Sequence, residues 1–149
     1  MMIEIEVQNV TSFAPVPSRL QFEQWAGAAL GKITDAELLI RLVDRQESSQ
    51  LNARYRDQNE ATNVLSFPAD LPQEVGLPLL GDIVICASLV AEEAQAQNTS
   101  VEAHWAHLTI HGVFHLLGYD HQSDEDAAKM EPQESEILRS LGFPDPYHS

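Results

Sequence analysis

Residues 111–121, HGVFHLLGYDH, constrain this chain more than any other stretch. They place His111, His115 and His121 at the spacing His-x3-His-x5-His. Histidines four apart on a helix lie one turn apart on the same face, so two rings can share one metal ion. Gly118 tolerates a left-handed backbone and can end the helix there, letting the chain double back and bring His121 to the same ion. Three neutral imidazoles leave one tetrahedral position open, the ligand count of a catalytic zinc site. The expectation is one Zn2+ ion per chain, held by His111, His115 and His121, with hydrolytic chemistry at the open position.

The helix carrying the motif is expected over 101–117. On it His104, His107, His111 and His115 fall within an arc of about 80°. From 108 to 117 (LTIHGVFHLL) the other positions are almost all apolar, which marks a buried helix. Buried imidazoles need a hydrogen-bonding partner or a metal. A ligand set of His104 or His107 with His111 ranks lower, because three ligands along one straight stripe span about 10 Å and converge poorly. His107 reads instead as a residue that orients a ligand from behind or meets substrate, and His104 as exposed. The pattern matches the metzincin protease signature at every fixed position but one. Gly112 stands where the protease has its general-base glutamate, so ordinary peptide hydrolysis is disfavoured. That glycine is read as clearing room beside the metal for a bulkier substrate, and Met130 as a core residue.

Elsewhere the chain reads as one α+β domain over 1–149, with one sheet of about four strands and five to six helices. Strands are expected at 3–7 (IEIEV, period two), 36–43, 62–67 and 81–86. Helices are expected at 18–30, 48–53, 87–97, 101–117 and 124–141. Ser18 and Gln21 match a capping box, and Gly31 a C-terminal cap. Residues 69–80 carry two prolines and a glycine and read as a loop. Asp82, opening a strand after Gly81, reads as a turn residue in preference to a residue that orients a ligand histidine, and Pro132 should kink or divide the last helix.

Charge narrows the partners. Asp and Glu number 23 against 8 Lys and Arg, a formal charge of −15, which argues against indiscriminate binding to nucleic acid. Half of the positive charges, Arg41, Arg45, Arg54 and Arg56, cluster on one segment. Contact with an anionic substrate would run through that cluster, unless it is simply a solvated arginine face. The single cysteine, Cys86, excludes an internal disulfide and reads as a buried hydrophobe. The N-terminal MMIEIEV lacks the basic flank of a signal peptide, and no apolar run approaches spanning length, so a cytoplasmic location is expected.

The sequence resembles the YbeY family, bacterial metal-dependent endoribonucleases of ribosomal RNA maturation and ribosome quality control. The resemblance runs from about residue 35 onward. Its strongest piece is HGVFHLLGYDH; LNARYR (51–56), TNVLSFP (62–68), LLGDIVIC (79–86), EAHWAH (102–107) and the tail LGFPDPY support it in order and spacing. It implies zinc on the three motif histidines and an essential arginine in the Tyr-Arg segment, Arg56. It further implies single-strand-specific cleavage of ribosomal RNA, including 3′-end maturation of 16S rRNA, with ribosomal RNA and ribosomal proteins as partners rather than DNA or membrane.

Roles follow from chemistry. Zinc would activate water, with His115 and Arg56 as the catalytic residues; Arg56, always charged and bidentate, would hold the scissile phosphate, with Arg54 beside it. Asp120 would orient a ligand histidine through its second nitrogen, as would His107. Ser66 has no histidine base near it in sequence and is not expected to be a nucleophile. Two alternatives remain: a ribosome-assembly binding factor with weak or conditional nuclease activity, and another zinc hydrolase such as a peptidase.

Overall fold

The computed structural model describes residues 2–69, 79–118 and 124–147. Among the described residues, four strands and five helices follow one another as β1 (Met2–Asn9), α1 (Arg19–Leu30), β2 (Asp35–Val43), α2 (Arg45–Arg56), β3 (Val64–Pro68), β4 (Leu79–Cys86), α3 (Ala87–Ala96), α4 (Val101–Leu116) and α5 (Asp124–Ser140). The α+β expectation holds. Strand order is β1-β2-β4-β3. β1 pairs parallel with β2 and β2 parallel with β4, whereas β3 runs antiparallel to β4 at the edge.

The alternation of β2 shows how the sequence builds a two-faced sheet. Ala36, Leu38, Ile40 and Leu42 are buried while the residues between them are only partly covered or exposed. The buried set joins Ile83 and Ile85 of β4 and Ile5 of β1 in the main core, beneath α1 and α4. Phe22, Trp25 and Trp105 meet edge to face there, Phe22 lying 5.7 Å from Trp25 and 5.8 Å from Trp105. A smaller cluster of Val43, Leu65, Val84 and Cys86 takes in Leu51 of α2 and Phe67 of β3. Cys86 is buried and unpaired, as expected.

Helix boundaries follow local chemistry. Ser18 caps α1, accepting from the Gln21 backbone N–H while the Gln21 side chain accepts from that of Ser18, the reciprocal capping box. Gly31 at φ 59° donates its N–H to Gly27 and closes the helix. The second helix is longer than the 48–53 read from its polar sequence. It begins after Asp44 in extended conformation and ends at Asp57 in the left-handed region. β4 also starts earlier than expected, at Leu79, so Asp82 lies inside the strand, opposite Phe67, and not at the turn that opens it. The register with β2 slips by one residue where Glu37 faces Leu79 but Leu38 faces Gly81. Gly81 sits there at φ 139°, and a Cβ on it would fall 2.2 Å from the Phe67 carbonyl oxygen, so the slip requires glycine. Pro132 does not divide α5, which continues from 124 to 140.

Candidate metal centre

The site is built on α4, the most enclosed helix. Its buried residues run from Ala103 to Leu116 on all sides, including Trp105, Leu108, Ile110, Val113 and Phe114. Such burial fixes the helix tightly against the sheet, and Gly112 makes the approach possible. A Cβ at Gly112 would lie 2.9 Å from Ile83 of β4. The glycine is therefore buried under the sheet and clears no space for substrate, which corrects the reading made from the protease signature. Ser66 of β3 donates to the Gly112 carbonyl at 3.1 Å and is buried, in keeping with a structural rather than a nucleophilic role.

The partly buried histidines point along one side of α4. His115 Nε2 lies 3.0 Å from His111 Nε2. A proton or a cation must bridge two ring nitrogens at that distance. Two nitrogens bound tetrahedrally to one zinc lie roughly 3.3 Å apart, given bond lengths of 2.0–2.1 Å. The pair therefore fits a shared ion. On the other side of His111, Nδ1 lies 2.7 Å from Glu134 Oε2. An ionised carboxylate can only accept, so Nδ1 carries the proton and Nε2 presents its lone pair toward His115.

Glu134 comes from α5, where Met130, Glu134 and Leu138 form a fully buried stripe at every fourth residue. Its other oxygen, Oε1, accepts from the Tyr147 hydroxyl and lies 3.4 Å from His107 Nε2, which is also 3.1 Å from that hydroxyl. Burial by itself would push the Glu134 carboxyl up. The hydrogen bonds from His107 and His111, with that of Tyr147, outweigh it and hold the carboxyl down at about 2. The same burial, reinforced by Glu134, pushes the Tyr147 hydroxyl above its ordinary range.

His107, His111 and Glu134 present ligand atoms all within 4.8 Å of one another, a group that can hold a metal ion. With His115 beside His111, the C-terminal half of α4 carries a row of imidazoles backed by one buried carboxylate. A family model described as endoribonuclease YbeY matches residues 6–142. The chain belongs to the YbeY endoribonuclease family. The solution structure of TM1509 from Thermotoga maritima is similar over 99% of this chain and 100% of that one, at 27% identity and a TM-score of 0.62.

Within this YbeY fold, His107 lies one turn before His111 on α4 and meets Glu134 and Tyr147 through Nε2. His104 does not lie where the sequence suggested. It is buried, 5% exposed, with Nε2 2.7 Å from Glu93 Oε1 of α3, because a carboxylate on the neighbouring helix reaches it. His121 and Asp120 lie outside the described residues, as does 70–78, most of the predicted loop. Gly118, just past the end of α4, has a positive φ of 103°.

The arginine cluster divides. Arg41 pairs with Glu47 and reaches Gln8, and Arg45 pairs with Glu92. Arg54 and Arg56, in the last turn of α2, are exposed, and the Arg54 guanidinium sits 5.4 Å from the Tyr55 ring centroid. Tyr55 packs edge to face on Phe67 of β3, and the next residue back, Ser66, touches α4 through Gly112. One short edge strand thus ties the exposed arginine end of α2 to the histidine helix. Glu134 is the residue that the sequence reading missed. Its signal was a carboxylate midway between two apolar residues of one helical stripe.

Proposed function

We propose that this YbeY-family chain is a zinc-dependent, single-strand-specific endoribonuclease of ribosomal RNA processing, acting in 16S rRNA 3′-end maturation and ribosome quality control in the cytoplasm. The observation that carries the metal-centred reading is the 3.0 Å approach of His111 Nε2 to His115 Nε2, with His111 Nδ1 held by a buried carboxylate. His111, His115 and His121 would hold the ion, leaving one position open to substrate. The His107–His111–Glu134 group is the less favoured ligand set. Glu134 already accepts hydrogen bonds from its neighbours, and His107 Nε2 faces oxygen partners as a donor. When bound, zinc supplies a Lewis acid that makes water nucleophilic near neutral pH and polarises a phosphoryl oxygen.

The chain's own residues supply the rest. Arg56 holds the scissile phosphate through paired N–H donors and offsets the charge that builds on its oxygens, with Arg54 gripping a neighbouring phosphate. Asp120 orients a ligand histidine through its second nitrogen. A chain at −15 binds RNA only where positive charge is exposed, so selectivity prevails over tight general affinity. Among the described residues no helix is long and apolar enough to cross a membrane.

That charge also favours a second reading. With Arg41 and Arg45 tied up in ion pairs, recruitment by a ribosomal protein would replace intrinsic RNA affinity, making the chain a ribosome-assembly factor with conditional nuclease activity. Arg56→Ala separates the two. A nuclease loses cleavage while keeping its zinc; a binding factor keeps its function as long as docking survives.

A further inference from the structure

Glu134 is the most deeply enclosed ionisable side chain next to the site, with none of its side chain exposed, and the hydrolytic scheme gives it no role. We propose that Glu134 is a positioning residue for the metal centre, selecting the His111 tautomer whose Nε2 lone pair faces His115, while Tyr147 and His107 fix the carboxylate from behind. The proposal rests on the metal-centre reading above.

Neutral imidazole carries its proton on either nitrogen, and only one choice leaves Nε2 able to bind an ion. Glu134 Oε2 at 2.7 Å from Nδ1 makes that choice, since a carboxylate offers no proton in return. The carboxylate cannot swing away. Glu134 is fully buried, as are Met130 and Leu138 one turn to either side on α5, and Oε1 is taken by the Tyr147 hydroxyl and faced by His107 Nε2. Tyr147 is itself anchored, because Asp145 Oδ1 accepts from the Tyr147 N–H at 2.9 Å and from the Ser135 hydroxyl at 2.7 Å. The C-terminal tail thus closes over the carboxylate and extends the chain of contacts from the tail through Glu134 to His111. A merely structural ion pair would need neither this choice of nitrogen nor the alignment of His111 with His115.

The test uses the full chain with the metal alone. Two-bond 1H–15N correlation spectra of the metal-free wild type report the His111 tautomer, and chelator competition reports zinc affinity in wild type, Glu134→Gln, Tyr147→Phe and His115→Ala. The expected result is a His111 proton on Nδ1, zinc affinity lowered about 10- to 100-fold in Glu134→Gln, and a few-fold loss in Tyr147→Phe. A wild-type His111 proton on Nε2 overturns the proposal, and that spectrum stands even if Glu134→Gln does not fold. So does unchanged zinc affinity in Glu134→Gln beside lost zinc in His115→Ala, an outcome that leaves the metal-centre reading intact. Zinc retained in His115→Ala but lost in Glu134→Gln would make Glu134 a ligand, and both readings would fall together.

Discussion

His104 and His111 sit on one face of α4, seven residues apart, and each meets a glutamate at 2.7 Å. At His104 the ring tip, Nε2, meets Glu93, whose carboxylate also accepts from the Asn63 side chain just before β3. That pair is a strut between α3, α4 and the sheet edge. At His111 the carboxylate takes Nδ1 instead, and the ring tip is turned to His115. The same residue type, helix and partner type give a brace in one place and a prospective metal ligand in the other. What differs is the nitrogen that the second helix reaches.

The largest effect should come from breaking the ligand end. His115→Ala is expected to lose stoichiometric zinc, measured by metal analysis after gel filtration, and to abolish RNA cleavage. Arg56→Ala comes next. It should keep zinc at wild-type stoichiometry while cleavage falls by about 10²–10³-fold, the usual loss when one donor to transition-state charge is removed; zinc lost along with cleavage would make Arg56 structural instead. His104→Ala probes the strut. It leaves the partly buried Glu93 without its histidine, so unfolding in urea should show a loss of about 1–3 kcal/mol, with zinc affinity unchanged. A drop in zinc affinity matching that of His115→Ala would erase the distinction between the two ends of the helix.

The smallest effect lies away from α4 and serves as a control. Asp44 accepts hydrogen bonds from the Thr11 hydroxyl and from the Ser12 backbone and side chain, which hold its carboxyl below the usual aspartate range. A carboxyl whose value is lowered on folding contributes stability above its unfolded value and loses that contribution as pH falls through the folded one. The stability gap between wild type and Asp44→Asn should therefore be full near neutrality and shrink below about pH 3.9. A gap that widened in acid would contradict the assignment, and zinc binding should be the same in both proteins.

The histidine stripe and the buried helix beneath it were legible because α4 carries its own periodicity, and Ser18, Gln21 and Gly31 announced the bounds of α1 in the same local way. What the sequence hid depends on a second element. His104 was read as exposed because Glu93 lies on another helix. Glu134 stands 23 residues beyond His111 and meets it only after α5 folds back on α4. The extent of α2 escaped because its residues are mostly polar and few are buried, and Asp82 was read as a turn because the early start of β4 rests on pairing with β2 and β3. Strand order belongs to the same class, since nothing in β3 by itself says that it will lie at the edge, antiparallel to β4.

The central claim is that RNA cleavage occurs at a metal held by the end of α4. Its most direct test is cleavage of a single-stranded ribosomal RNA fragment by zinc-loaded protein, beside His115→Ala purified identically. Cleavage by the wild type alone is predicted. Equal cleavage by both proteins would contradict the claim, since the activity would then not depend on the histidine pair.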